Sequence, residues 1–317
     1  MANTPTTTVD LYYTPEMAVR NDPHGNFSKS PSKPRRFAEH LLKGPLSPHV
    51  RVERGFAPLT DAQLLTAHTP DYVEAFFAGE EPLASSNGLN WTAEFARSVR
   101  YTNGSLLAAV RGARAHPERI ALSPTSGFHH ARPDSGGGFC TFSGQAIAAL
   151  DVYRSSGARG AWIDLDGHFG NSIEDTRSFA PDLDAAIPIN LNPINKHGAY
   201  LASLEKGLQV VLRDLVLGRL EYVAFAHGAD SHEWDDLGGQ CTTEEWLFAS
   251  EMVYEMVSKA QRQLGRPVPL VLALFGGYRD DDPDSVLELH CADLAVALRE
   301  VAGLSVDYAP QVKPRAL

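Results

Sequence analysis

Between residues 119 and 301 the chain alternates short, unbroken apolar runs with glycine-containing loops and amphipathic stretches of helical period. The runs cover 119–122, 160–165, 222–226 and 268–275. Stretches at 143–155, 199–217, 244–264 and 283–301 separate or follow them and read as helices. Thr242 with Glu245 makes a capping box for the third of these helices. Asp282 before Pro283 gives the fourth an N-cap with proline at its first position. Strands that are continuously apolar and alternate with helices imply an α/β fold, a mostly parallel sheet covered by helices on both faces. Upstream, 9–13 reads as a short strand, and a helix beginning near Pro34 stops at Gly44. Short helices follow at 61–67, capped by Thr60 or Asp61, and at 70–77. Residues 92–115 form the first long helix. The proline-broken 14–32 and the 80–91 segment, with Pro82, Asn87 and Gly88, read as loops. No shift in composition marks a boundary and no internal repeat is visible, so residues 1–317 read as a single domain.

In an open parallel sheet, functional groups gather just beyond the carboxyl ends of the strands. Every run here ends in side chains able to ligate metal or move protons. After the first come Gly127, Phe128, His129 and His130, then a glycine-rich turn leading to Gly138, Phe139 and Cys140. After the second come Asp164, Asp166 and His168, with Asn171 on the same loop. His227, Asp230 and His232 follow the third, and Gly276, Gly277 and Tyr278 the fourth. Asp166 and His168 are spaced i, i+2, so on an extended backbone their side chains point to the same side. An oxygen and a nitrogen donor suit a borderline divalent cation such as zinc, and Asp230 supplies a third ligand. Three protein ligands leave coordination open for water and a substrate carbonyl.

The remaining residues complete a mechanism. Neighbouring His129 and His130 can divide proton transfer from charge stabilisation, with Asp164 and Asn171 as the acceptors that orient them. Tyr278, on its Gly-Gly turn, can offer a hydroxyl to a developing oxyanion. The chemistry is hydrolysis of an amide with metal activation and no covalent intermediate. His227 and His232 read as loop residues or as neighbours of the ligands rather than ligands. His68, His116, His197 and His290 have no partner visible in sequence and read as structural. Cys140 reads as a small apolar group lining the pocket.

Composition narrows the setting. Hydrophobic content of 43% and charged content of 21% are ordinary for a soluble globular protein. A net charge of −11 argues against nucleic acid or anionic membranes as partners and is compatible with a cationic substrate. The three cysteines, Cys140, Cys241 and Cys291, are isolated, which fits a reducing cytoplasm. The N-terminal residues are polar, and no run approaches a membrane span.

The ordered motifs resemble the histone deacetylase family, with its relatives the acetylpolyamine amidohydrolases, from about Lys33 to Tyr278. The strong parts are Gly-Phe-His-His-Ala at 127–131, Gly-Phe-Cys at 138–140, Asp-Leu-Asp-Gly-His at 164–168, Gly-Ala-Asp at 228–230, Leu-Gly-Gly at 237–239 and Gly-Gly-Tyr at 276–278. Weaker similarity lies in 33–36 and 68–73. The resemblance implies an arginase-like α/β fold with a zinc site whose ligands are Asp166, His168 and Asp230. It implies His130 as general acid/base, His129 as its electrostatic companion and Tyr278 as oxyanion donor. Asp164 and Asn171 would orient the histidines. Phe139, with Gly138 before it, matches a wall of an acyl-lysine channel, and Leu237 a residue gating substrate choice. The expected substrate is acetyl-lysine or a small acylated amine. The resemblance leaves room for iron(II) in place of zinc, for a structural monovalent cation such as potassium, and for a homo-oligomer.

Three departures stand out. Phe169 replaces a second histidine after His168, Gly167 replaces a bulkier residue, and Phe275 stands where glycine or glutamate is commoner. The stretch 179–200 is short, with 187–190 as its one strand-like piece, where relatives carry a long loop whose aromatic residue forms the other channel wall. That wall is then absent, or supplied by a loop such as 80–91, or by a partner subunit. Two other classes compete: an arginase-like manganese hydrolase, which needs more carboxylates for two metals, and a non-catalytic protein that keeps the pocket.

Overall fold

The computed structural model describes residues 8–20, 25–193 and 199–315; the polar N-terminal residues before Thr8 and His197 lie outside that range. Among the described residues seven strands form one sheet: β1 (Val9–Tyr12), β2 (Val50–Glu53), β3 (Ile120–Ser123), β4 (Gly160–Asp164), β5 (Ile189–Leu191), β6 (Tyr222–Ala226) and β7 (Leu270–Ala273). All pairs are parallel and the order is β2-β1-β3-β7-β6-β4-β5. The helices, in chain order, are α1 (Lys33–Lys43), α2 (Asp61–Leu64), α3 (Pro70–Ala78), α4 (Ala93–Ala115), α5 (Gly144–Ser156), α6 (Ser172–Arg177), α7 (Leu183–Ala186), α8 (Tyr200–Val216), α9 (Thr243–Leu264) and α10 (Pro283–Glu300).

The pleat divides the core in two. Ile120 and Leu122, Ile163, Val223, Phe225 and Leu272 pack toward α1, α8, α9 and α10. Their neighbours Ala121, Trp162, Tyr222, Ala224 and Val271 pack toward α3, α4 and α5. Inner strands buried on both faces read as unbroken apolar runs, which is why β3, β4, β6 and β7 are legible in the sequence. The two edge strands are not: β2 is half-exposed Val-Arg-Val-Glu and was not expected, and β5 begins two residues after the start of the strand-like piece.

Local chemistry fixes the helix ends. Thr60, not Asp61, caps α2 by accepting from Gln63 N, and the Thr242/Glu245 capping box opens α9. At α10 the expected side-chain cap does not form. The Asp282 carboxylate instead accepts from the Ser285 hydroxyl at 2.8 Å, while Pro283 at the first position removes one orphan donor.

Register aligns the strand ends. Asp164 of β4 lies beside Ala226 of β6, which lies beside Ala273 of β7, which lies beside Ser123 of β3. The loops leaving these four strands therefore start from one rim of the sheet.

Candidate active site

The β4 strand ends at Asp164, so Asp166 and His168 stand on the following loop rather than on extended strand, as the i, i+2 argument supposed. They converge because the loop turns back on itself. Asp166 Oδ1 accepts from the backbone N of His168 at 3.0 Å, and His168 Nδ1 lies 3.2 Å from Asp166 Oδ1. Asp230, from the short turn after β6, brings Oδ2 to 2.9 Å from the same Nδ1. One donor atom from each of Asp166, His168 and Asp230 lies within 4.8 Å of the other two.

Both carboxylates are fully buried, and backbone amides orient their outer lone pairs. Gly276 N donates to Asp166 Oδ2 at 2.8 Å, and Gly167 N to Asp230 Oδ1 at 2.9 Å. Burial, then the charge of Asp166, pushes Asp230 up to about 7. Two carboxylates so close and so dry favour a cation beside them, and without metal the same pair raises His168 to about 10. A methyl group at Gly276 would collide with both carboxylates, so only glycine leaves this space open. The donor set, its burial and the glycine cradle fit a divalent metal with one nitrogen and two oxygen ligands.

Beside this cluster the rings of His129 and His130 sit 4.1 Å apart. His130 Nδ1 lies 3.0 Å from Asn171 Oδ1, and His129 Nδ1 lies 3.0 Å from Asp164 Oδ2. An amide oxygen can only accept, so Nδ1 of His130 carries the hydrogen and its Nε2 keeps a lone pair. The two imidazoles are pulled in opposite directions. Burial disfavours charge on His129, but Asp166 and Asp164 overcome it and raise it to about 9. Burial, reinforced by the His129 charge, lowers His130 to about 4. The surroundings thus favour the charged form of His129 and the neutral form of His130. Gly138, at φ +48°, has no room for a side chain because His130 packs against it.

Tyr278 stands on the turn after β7. Burial, then the negative charges of Asp166 and Asp230, raises its phenol well above the ordinary value, so it is a protonated donor. Two groups that sequence reasoning missed hold this turn. Lys33, buried at the start of α1, donates to Phe275 O at 2.7 Å. Asp235, also buried, accepts from Tyr278 N at 2.5 Å through Oδ2 and from Leu237 N at 2.9 Å through Oδ1. One carboxylate thus ties the turn of Tyr278 to the loop carrying Leu237, whose side chain is exposed. Lys33 lies inside the weaker motif at 33–36, but nothing in the polar run 233–237 marks Asp235.

Phe139 adopts φ +63° and is pinned by its N donating to Asn87 O at 2.8 Å. The 80–91 loop therefore braces the Phe139 wall. Cys140 is buried beneath it, and burial raises its thiol. Phe169 is exposed beside His168. His227 stacks on Trp246 at 3.7 Å and lies 3.2 Å from Asp293, while His232 bonds Thr243. His68 is buried with both nitrogens engaged, by Arg132 O and by Ser143 N. His290 is buried against Phe37, and His116 is exposed near Glu118.

Comparison with known proteins bears on the fold and the family. Residues 28–183 match the family model for the histone deacetylase domain. A stretch of 76 residues, 24% of this chain, is 34% identical to histone deacetylase 8 of Xenopus tropicalis, of which it spans 20%. The fold is similar to that of the HDA15 HD domain, with a TM-score of 0.70 at 17% identity over 96% of this chain and 90% of that one. It is similar too to the acetylpolyamine aminohydrolase of Burkholderia pseudomallei, with a TM-score of 0.65 at 20% identity over 92% of this chain and 99% of that one. Fold, ordered motifs and the domain matched over residues 28–183 support the histone deacetylase and acetylpolyamine amidohydrolase family for this chain.

Proposed function

We propose that this protein is a metal-dependent hydrolase that removes an acyl group, acetyl first among them, from an amine. The observation that carries the reading is the histidine pair. Two rings 4.1 Å apart, one facing the Asp164 carboxylate and the other the Asn171 amide oxygen, stand beside a buried three-donor cluster. A zinc ion held by Asp166, His168 and Asp230 would supply Lewis acidity toward a water and an acyl carbonyl.

The chain's own residues supply the rest. His130 Nε2, with its lone pair, accepts the proton of the attacking water and returns it to the leaving amine. Asn171 fixes the tautomer that leaves Nε2 free. His129, hydrogen-bonded to Asp164, faces the negative charge that develops as the carbonyl is attacked. The Tyr278 hydroxyl donates to the same oxygen. Lys33 and Asp235 hold the Tyr278 turn, so the donor is aimed before substrate arrives.

The test loads the protein with zinc, iron(II) or manganese and screens acetyl-lysine peptides, acetylpolyamines and longer acyl amides. About one zinc per chain with amide hydrolysis supports the reading. Two manganese per chain with guanidino hydrolysis would replace it with the arginase-like alternative. Absence of hydrolysis across panel and metals would leave only a binding protein.

A further inference from the structure

The family's second channel wall is expected from the loop that this chain shortens, and the structure brings another aromatic to the site. Phe27, in the proline-broken N-terminal segment, places its ring 6.3 Å from Phe139 and 6.3 Å from Tyr278. It is nearly parallel to the Tyr278 ring, with 18° between planes. Phe139 and Tyr278 are themselves 5.5 Å apart, so the three rings form one continuous aromatic face.

Phe27 is not a core residue. Phe27 is 53% exposed, whereas Asn26 before it and Ser28 after it are buried. The flanking backbone is held firmly. Asn90 N donates to Asn26 Oδ1 at 2.8 Å, tying the segment to the 80–91 loop, and Lys29 Nζ donates to Asn26 O at 2.9 Å. Val19 N donates to Pro31 O at 2.9 Å, closing the segment from its other side. A large apolar ring kept half in solvent by two buried neighbours, one face on Tyr278, is built to meet something apolar.

We propose that Phe27 is a specificity-determining residue, extending the Phe139 wall to the mouth of the site and selecting amides of arylalkylamines. This rests on the reading of the site as an amide hydrolase and names its substrate class. The Phe27 and Phe139 ring centroids are only 6.3 Å apart, so the substrate lies along the face they share with Tyr278. An aryl group two or three carbons from the scissile nitrogen reaches Phe27 while the carbonyl remains at Tyr278. Around the same pocket Lys29, Lys33, Arg36 and Arg279 outnumber Asp236 and Asp280, a balance that disfavours the distal positive charges of a polyamine. This reverses the slight preference for cationic substrates suggested by net charge alone.

The test compares zinc-loaded wild type, Phe27→Ala and Phe27→Leu on N-acetyl-phenethylamine, N-acetylethylamine and an acetylpolyamine. Calorimetry of phenethylamine binding to each protein without added metal gives a readout independent of turnover. Phe27→Ala should lower the ratio of kcat/KM for the aryl over the ethyl amide by about ten- to a hundredfold. It should weaken phenethylamine binding in parallel, with Phe27→Leu intermediate. An unchanged ratio with unchanged amine binding overturns the proposal, as does wild type preferring the polyamine. Hydrolysis of no amide by wild type, with phenethylamine binding that depends on Phe27, would instead overturn the hydrolase reading and leave Phe27 as an amine-binding residue.

Discussion

At the scale of single residues, the site works by keeping chemically similar groups different. His129 and His130 share a loop and touch, yet one sits over two carboxylates and the other on a neutral amide. Tyr278 is the group whose contribution is most separable from the ligands. Tyr278→Phe should lower turnover by about two to three orders of magnitude, as expected for one lost oxyanion donor, with metal content unchanged. Atomic absorption alongside steady-state kinetics checks it, and undiminished hydrolysis would remove Tyr278 from the mechanism. Asp235 acts one step further back. In Asp235→Asn an N–H group replaces one of the two oxygens that accept from Tyr278 N and Leu237 N, leaving a buried backbone donor unpaired at a cost of about 1–3 kcal/mol. Turnover should fall more than KM rises, because the aim of Tyr278 is disturbed; a lowered melting temperature with intact kcat would make Asp235 structural only.

At the scale of elements, the inner strands and the loops after them were legible because burial on both faces writes an unbroken apolar run. Chemistry at the strand ends then repeats four times. What was not legible depends on closure between distant parts. Phe27 looks like any residue of a polar, proline-broken loop until α1 and the 80–91 loop fix it against Phe139. Asp235 reads as one acid among several until the Tyr278 turn supplies its donor. His68 is a third case, read as partnerless yet linking α2 to the segment before α5. Its Nδ1 faces Arg132 O at 2.9 Å and its Nε2 accepts from Ser143 N at 2.8 Å. Burial lowers it to about 4, so between about pH 4 and 6.5 the unfolded chain binds a proton that the folded chain refuses. Its contribution is complete above pH 6.5 and is lost as pH falls through that window, amounting to roughly 3 kcal/mol at most. Denaturant titrations from pH 4 to 7 should show a shallower dependence in His68→Gln than in wild type; equal slopes would assign the acid sensitivity to other groups.

At the scale of the whole molecule, one rim of the sheet gathers the proposed ligands, the histidine pair and the Tyr278 turn, so metal should stabilise segments far apart in sequence. Loading with zinc at about a thousandfold over Kd should stabilise the fold by about 4 kcal/mol, and chelation should reverse it. Differential scanning calorimetry of wild type and Asp166→Ala would show this shift only in wild type; equal responses would place the ion elsewhere. No helix among the described residues is long and apolar enough to cross a membrane. The two edge strands carry a further consequence. On β2 the exposed Arg51 reaches back to Asp10 and Glu53, and β5 offers only three residues. An added strand would have to dehydrate charge at one border and would find little backbone to pair with at the other. The sheet is self-limiting, and any assembly of copies has to grow from the helical faces rather than by lengthening the sheet.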